Sequence, residues 1–159
     1  MTDERNTVRD PVDGMPVGRK EFSQGRTVSE GEFMLLTSLT WTTDELHANA
    51  EYMRNSEFGE RLLGGSVVLS LISGLWCQNP LFRDMLGVHG VKPIAALGTT
   101  ASYRGVFRPG DTLYEETEIE SVRASKSMAG RGIMNLRDRA FNQRDELIVD
   151  STRSILYER

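Results

Sequence analysis

The chain is expected to fold as one α+β domain, an antiparallel sheet wrapped around a long buried helix, and three observations point there. Residues 63–77 are apolar on nearly every face, which suits a helix inside a core better than one laid on a surface. From Ile94 onward the pattern changes to strand-like segments joined by hairpin-length connections. An antiparallel sheet needs apolar cover on its inner face, and the 63–77 helix is the segment best suited to supply it. A chain of 159 residues is long enough for one such domain with a real core.

The elements follow in order. Residues 1–18 are rich in Asp, Arg and Thr and hold Pro11, Gly14, Pro16 and Gly18; they read as a flexible arm, extended or disordered, with the domain running over 19–159. A first strand is expected at 20–28. Ser29 and Glu32 match a capping box and open a helix carrying Phe33, Leu35, Leu36 and Leu39 that ends near Thr40. Asn49 is placed to cap a second, short helix ending before Gly59. Glycines and serines in 63–77 permit close approach of other backbone. Residues 78–93 read as a loop with Pro80 and Pro93 as punctuation and a short helix around 81–86. A strand is expected at 97–107, then a turn at Pro109-Gly110-Asp111. Over 112–124 Leu113, Thr117 and Ile119 fall on one side and Glu116, Glu118 and Glu120 on the other, so the acidic run 115–120 reads as an exposed sheet face. Gly130-Arg131-Gly132 precedes a strand at 133–141, and Asn142-Gln143-Arg144-Asp145 forms a hairpin loop before a last strand at 147–157. A sheet wrapped around one buried helix is the hotdog arrangement.

Composition excludes several classes. A net charge of -4 and a pI near 5.3 leave the whole molecule no electrostatic footprint for nucleic acid. The single cysteine, Cys77, rules out an internal disulfide and is compatible with a reducing, cytoplasmic setting; its apolar surroundings suggest a buried, inert thiol. One Cys and two His build no familiar zinc cluster, and no metal site is expected. Residues 1–10 lack the apolar run of a signal peptide. The longest apolar run is too short and too broken by Gly and Ser to span a bilayer, so no membrane partner is expected. Trp41 and Trp76 read as core or interface aromatics.

One of the two histidines, His47, sits in Thr42-Thr43-Asp44-Glu45-Leu46-His47-Ala48-Asn49, read as a polar loop that runs into a glycine-rich helix start at Gly64-Gly65-Ser66. An imidazole moves protons near neutral pH. A helix N-terminus offers unpaired N–H groups that hold developing negative charge. Together they suggest acid–base chemistry on a carbonyl compound. Bland readings stand beside these. Asp44 is either a helix cap or a catalytic carboxylate, Thr42 a loop residue that hydrogen-bonds backbone, and the glycines merely a means of close packing. Arg104 is either a solvated strand side chain or a contact for an anionic part of a substrate. His89 receives no role.

In their order and spacing these segments resemble the MaoC-like hydratases and dehydratases of the hotdog superfamily, over roughly residues 20–157. Leu46-His47-Ala48-Asn49-Ala50-Glu51-Tyr52 is similar to the family's Leu-His-x-Asp-x-x-Tyr-Ala. Phe58-Gly59-Glu60-Arg61-Leu62-Leu63-Gly64-Gly65 is similar to its Phe-Gly-x-x-Ile-Ala-His-Gly, and Phe107-Arg108-Pro109-Gly110-Asp111-Thr112-Leu113 to its Pro-Val-x-x-Gly-Asp-Thr-Leu. The late stretch from Gly132-Ile133 through Asn142-Gln143-Arg144 looks nearest the branch acting on mesaconyl- or methylmalyl-type thioesters.

The resemblance implies syn hydration of a trans-2-enoyl thioester, or dehydration of a 3-hydroxyacyl thioester. It implies no cofactor beyond the CoA or phosphopantetheine arm that is part of the substrate, and a homodimer or higher even oligomer. In the family an Asp, and a His five residues later, hold and activate the water, while a backbone N–H at the start of the core helix polarises the carbonyl. Carried over, His47 is the general acid/base, Asp44, with Thr42, orients it or the water, and Gly65 N–H, with Gly64 and Ser66 beside it, meets the enolate-like oxygen. This chain departs from the pattern. Thr42 stands at the family's Asp, Asp44 at its Asn, Asn49 at the Asp after the His, and Gly64 at the His before the helix glycine. A threonine hydroxyl is no carboxylate base. Either Asp44 supplies the charge, or His47 works with weaker help, or hydratase activity is lost. A hotdog thioesterase and a non-catalytic acyl-binding or interface subunit stay open as alternatives, the latter chiefly because of Thr42.

Overall fold

In the computed structural model, which describes residues 10–159, an antiparallel sheet wraps one central helix, as the apolar patterning predicts. Along the chain come β1 (Lys20–Phe22), β2 (Arg26–Thr27), α1 (Glu30–Leu39), α2 (Glu45–Ala48), α3 (Ala50–Arg54), α4 (Gly65–Trp76), α5 (Pro80–Gly87), β3 (Lys92–Tyr103), β4 (Thr112–Ala124), β5 (Arg131–Phe141) and β6 (Leu147–Glu158). The sheet order is β1-β4-β5-β6-β3, with β2 also paired to β4 and every pairing antiparallel. The capping box at Ser29 and Glu32 forms on both sides, and α1 ends at Thr40. Gly110 takes the left-handed conformation that the Pro109-Gly110-Asp111 turn needs (φ 82°).

Several boundaries and burials differ from expectation. The first strand is split, because Ser23 turns inward to exchange hydrogen bonds with the backbone of Glu115. β3 starts at Lys92 rather than 97 and stops at Tyr103 rather than 107. Helix α4 is sheltered on one face only: Val67, Val68, Ile72, Leu75 and Trp76 are buried, whereas Ser66, Ser70, Ser73 and Cys77 are exposed. Cys77 is therefore not a buried thiol; it falls on the serine side of the helix. Trp76 is a core residue, but Trp41 is 87% exposed. Of the arm expected at 1–18, residues 1–9 lie outside the described residues. Beyond them Met15 is buried, Gly18 N–H donates to Ile119 C=O, and the Tyr157 hydroxyl donates to Pro11 C=O. No helix among the described residues is long and apolar enough to cross a membrane.

The core is divided. Val28, Phe33, Leu63, Val67, Val68, Ile72, Leu75, Leu113, Ala140 and Val149 pack in one cluster along α4. Met15, Trp76, Leu81, Met85, Ile119, Leu136, Ile155 and Tyr157 form a second. On each of three adjacent strands one or two polar residues stand between the two: Glu115 and Thr117 on β4, Asp138 on β5, and Ser151 and Arg153 on β6. Strand alternation puts all five on the inner face. Glu115, expected on the solvent face with the rest of the 115–120 run, is fully buried. The alternation of β4 explains this correction, since Glu115 shares its parity with Leu113, Thr117 and Ile119.

Arg153 Nε lies 2.8 Å from Asp138 Oδ2, and its Nη2 is 2.9 Å from Oδ1. The Thr117 hydroxyl donates to the same carboxylate at 2.8 Å, and Arg153 also stacks over Trp76, 4.7 Å from the ring centre. Glu115 is 3.6 Å from Arg153 and neither carboxyl oxygen finds a hydrogen-bond partner among the described residues. Burial, then the neighbouring Asp138 carboxylate, push Glu115 up to about 8. Burial raises Asp138 too, but Arg153 and Thr117 favour its charged form. The geometry pairs Arg153 with Asp138 and leaves Glu115 as the carboxyl whose burial favours its neutral form.

A carboxyl whose folded-state value is raised binds its proton more tightly folded than unfolded. Its contribution is complete at acid pH and is lost as pH rises toward 8. Denaturant unfolding across pH 5–9 should therefore show stability falling up to about 8, and Glu115→Gln, which cannot ionise, should flatten that fall. An unchanged slope in the variant would mean that Glu115 is already ionised in the folded protein.

Candidate functional site

The candidate site is assembled around the start of α4. Gly64 is the N-cap and brings no side-chain cap to the helix, so the first N–H groups of α4 stay open toward whatever approaches. Compared with Ser or Asn, a glycine N-cap costs only a few tenths of a kcal/mol. The segment leading to it is pinned on several sides. Leu63 N–H donates to Phe107 C=O at 2.8 Å, Arg108 Nε meets Glu60 at 3.0 Å, and Arg61 pairs with Glu30 while lying over the Phe33 ring.

His47 is joined to this segment from the other side. It lies on the short helix α2 rather than on a loop, and Asp44 and Asn49 cap α2 and α3 in turn. Leu62 N–H donates to Leu46 C=O at 3.2 Å, and Leu62 C=O stands 2.6 Å from His47 Nδ1. A carbonyl can only accept, so Nδ1 carries the hydrogen, and in the neutral ring Nε2 keeps its lone pair free. The ring is 18% exposed. Its tautomer and orientation are thus set by a main-chain oxygen two residues before the helix cap.

Asp44 Oδ1 accepts from the N–H groups of Leu46 (3.0 Å) and His47 (3.3 Å), so this residue is an N-cap. Its other oxygen is 4.0 Å from His47 Nε2. That gap is too wide for a hydrogen bond, but one water about 2.8 Å from each atom would bridge it. The carboxylate is exposed and therefore serves both as a cap and as a charge facing the imidazole.

Thr42 arrives by way of Trp41, whose left-handed backbone (φ 58°) is unusual for a bulky side chain. Its hydroxyl is 3.0 Å from that of Thr40, and its side chain lies 3.5 Å from where a Cβ on Gly64 would be. The departures at Thr42 and Gly64 are therefore neighbours in space. On its own side, Gly65 is covered by the Tyr103 ring: a Cβ there would meet ring carbons at 2.7–3.0 Å. Ser66 is exposed on the first turn of α4. Arg104 follows Tyr103, exposed, its N–H bonded to Ile148 C=O and its charge acting on Asp150, on the outer sheet face. The structure thus gathers Thr42, Asp44, His47, Gly64, Gly65 and Ser66 around one helix start and leaves Arg104 facing elsewhere. Sequence reasoning missed Tyr103 and the Leu62 carbonyl; the first lies unmarked in a strand, and a main-chain oxygen has no sequence signal at all. Among the described residues no three His, Cys, Asp or Glu converge as metal ligands.

No family model matches the chain. It is 29% identical over 133 residues to beta-methylmalyl-CoA dehydratase of Chloroflexus aurantiacus, covering 83% of this chain and 35% of that protein, so it spans about a third of the length of that curated relative. A MaoC-like dehydratase from Rhodospirillum rubrum superposes with a TM-score of 0.76 at 25% identity, covering 91% of this chain and 94% of that one. A Mycobacterium tuberculosis protein described as a double hotdog fold superposes at 0.75 and 20% identity, over 92% of this chain and 43% of that one. The chain thus has the hotdog fold and is similar in sequence and structure to MaoC-like dehydratases.

The double use of Asp44 can be separated. Asp44→Asn keeps an equally good cap and should unfold in urea like the wild type. Asp44→Ala should lose about 1 kcal/mol. Equal stability of the two variants would show that the cap contributes nothing to α2.

Proposed function

We propose that the chain is an enoyl-thioester hydratase, or in reverse a 3-hydroxyacyl-thioester dehydratase, acting on a CoA or carrier-protein thioester. The observation that carries this reading is the His47 Nδ1···Leu62 C=O contact, which leaves Nε2 free as a base beside an uncapped helix start. Likeness to beta-methylmalyl-CoA dehydratase supports a CoA thioester within the same reading.

In hydration, a water held between Nε2 and Asp44 adds its oxygen to Cβ of the enoyl group and gives a proton to Nε2. The C=C electron pair moves through Cα onto the carbonyl oxygen. Gly65 N–H, at the positive end of the α4 dipole, stabilises that enolate-like oxygen. The imidazolium then returns its proton to Cα on the same face, and His47 is neutral again. Asp44 stabilises the imidazolium between the two transfers and Thr42 hydrogen-bonds the water or the adjoining backbone. Dehydration runs the same steps backward. No metal or redox group enters, and the CoA or phosphopantetheine arm belongs to the substrate.

The reading extends to a homodimer. β3 is a twelve-residue edge strand, exposed along nearly its whole length, with Ile94 and Leu97 open to solvent. Long apolar edges of this kind are paired in stable proteins, and a second copy would pair β3 to β3 about a twofold axis. A cytoplasmic setting belongs to the same proposal.

A panel of enoyl- and 3-hydroxyacyl-CoA thioesters, read both for enoyl absorbance and for free thiol, tests the reaction class. Enoyl absorbance should change without thiol release. Thiol release alone would replace this reading with thioester hydrolysis, and no change with any thioester would leave a non-catalytic acyl-binding protein. On an active substrate His47→Ala should slow turnover by about 10²–10⁴-fold while the fold survives. Asp44→Asn should slow it more than tenfold, a threshold consistent with losing one charged hydrogen-bond partner, with stability kept. Turnover at the wild-type rate in either variant removes that residue from the reaction.

A further inference from the structure

Tyr103 is the residue at the site that neither motif nor mechanism has used. It is the last residue of β3, pairs with Val149 of β6, and is 53% exposed. Nevertheless its ring does not simply stand in solvent. Three ring carbons, Cε1, Cδ1 and Cζ, come within 2.7–3.0 Å of the point where any side chain on Gly65 would begin. One part of the ring is therefore laid on the first residue of α4 and the remainder is open. On the adjacent position Thr42 approaches Gly64 at 3.5–3.6 Å. The helix start is walled by a threonine at the cap and by an aromatic ring at the first helical residue.

We infer that Tyr103 is a specificity-determining residue, the wall that sets how much bulk a thioester may carry next to its carbonyl. The inference rests on the hydratase reading above. A carbonyl oxygen accepting from Gly65 N–H lies about 3 Å from that nitrogen. The carbonyl carbon, and the sulfur and Cα bonded to it, then lie within one further bond or two. A ring packed on Gly65 borders that small volume. Its apolar surface suits an unsubstituted acyl carbon and obstructs a branch, and it keeps water from one side of the oxygen. That strengthens the N–H···O contact as charge develops. The ring, not the hydroxyl, carries the effect, since the ring carbons are what touch Gly65.

The same contact makes a side chain at Gly65 costly unless the Tyr103 ring moves away. A methyl there would overlap the ring, so Gly65→Ala should be costly with Tyr103 present and much less so beside Tyr103→Ala. This can be read from thermal unfolding without any substrate. Coupling of this kind between contacting residues is what a double-mutant cycle measures.

The deciding experiment compares kcat/KM for two trans-2-enoyl-CoA substrates of equal chain length, one unbranched and one carrying a 2-methyl group, in wild type, Tyr103→Phe and Tyr103→Ala. Tyr103→Phe should keep the wild-type ratio. Tyr103→Ala should move the ratio toward the branched substrate by about tenfold or more, the scale of one methyl group in a fitted pocket. An active Tyr103→Ala enzyme with an unchanged ratio overturns the inference and leaves the hydratase reading intact. A ratio altered equally by Tyr103→Phe also overturns it, because the hydroxyl would then be responsible. A folded wild type that turns over neither substrate, nor any other enoyl thioester of the panel, overturns the hydratase reading and this inference with it. Additivity of Gly65→Ala and Tyr103→Ala in the unfolding cycle would overturn the packing on which the inference stands.

Discussion

The packing of one face of α4 against the inner face of the sheet is the constraint from which the rest follows. It fixes where the helix begins, because Leu63 is tied to Phe107 just before the cap. It also fixes what can lie at that beginning. With Gly65 in place, the Tyr103 ring approaches closer than a side chain there would allow, while Thr42 lies in ordinary contact with Gly64. A glycine cap gives up only a few tenths of a kcal/mol against a better one, and in return the first N–H groups of the helix remain open. The imidazole of His47 is tied to the carbonyl of Leu62 in the same segment. The proposed base and the proposed oxyanion site are thus held in a fixed relation by three residues of backbone.

The other half of the molecule is organised by a different compromise. A polar band across β4, β5 and β6 divides the apolar interior under α4, and Arg153 is clamped between Asp138 and the Trp76 ring. Buried ion pairs seldom stabilise a fold more than apolar residues of the same size would. What they do is penalise misalignment. A slip of one residue between any two of these strands would move one partner to the outer face and leave the other buried without it. On that argument the band fixes the register of the three central strands.

Much of this was legible in the sequence. The element order, the Ser29 capping box, the Asn49 cap, the turn at Gly110 and the central helix all have local signatures, and the structure has them where those signatures lie. The buried Glu115 was not, because a run of acidic residues reads as solvated until strand parity is applied residue by residue. Cys77 was misread for a related reason: an apolar neighbourhood in sequence does not say which face of a helix is sheltered. At the candidate site, His47 and Asp44 could be picked out by residue type and spacing. Their relation to the helix start depends on a carbonyl oxygen and on an aromatic ring from a distant strand, and neither leaves a mark in the local sequence.

The central claim is that the start of α4 and His47 act on one thioester from its two ends. The most direct measurement is a crystal structure with a saturated acyl-CoA, which has the carbonyl but no double bond to hydrate. The account predicts its carbonyl oxygen about 3 Å from Gly65 N, with an ordered water between His47 Nε2 and the acyl Cβ. An acyl group bound away from the helix start, or a carbonyl turned from Gly65 with His47 facing no reacting carbon, would contradict it.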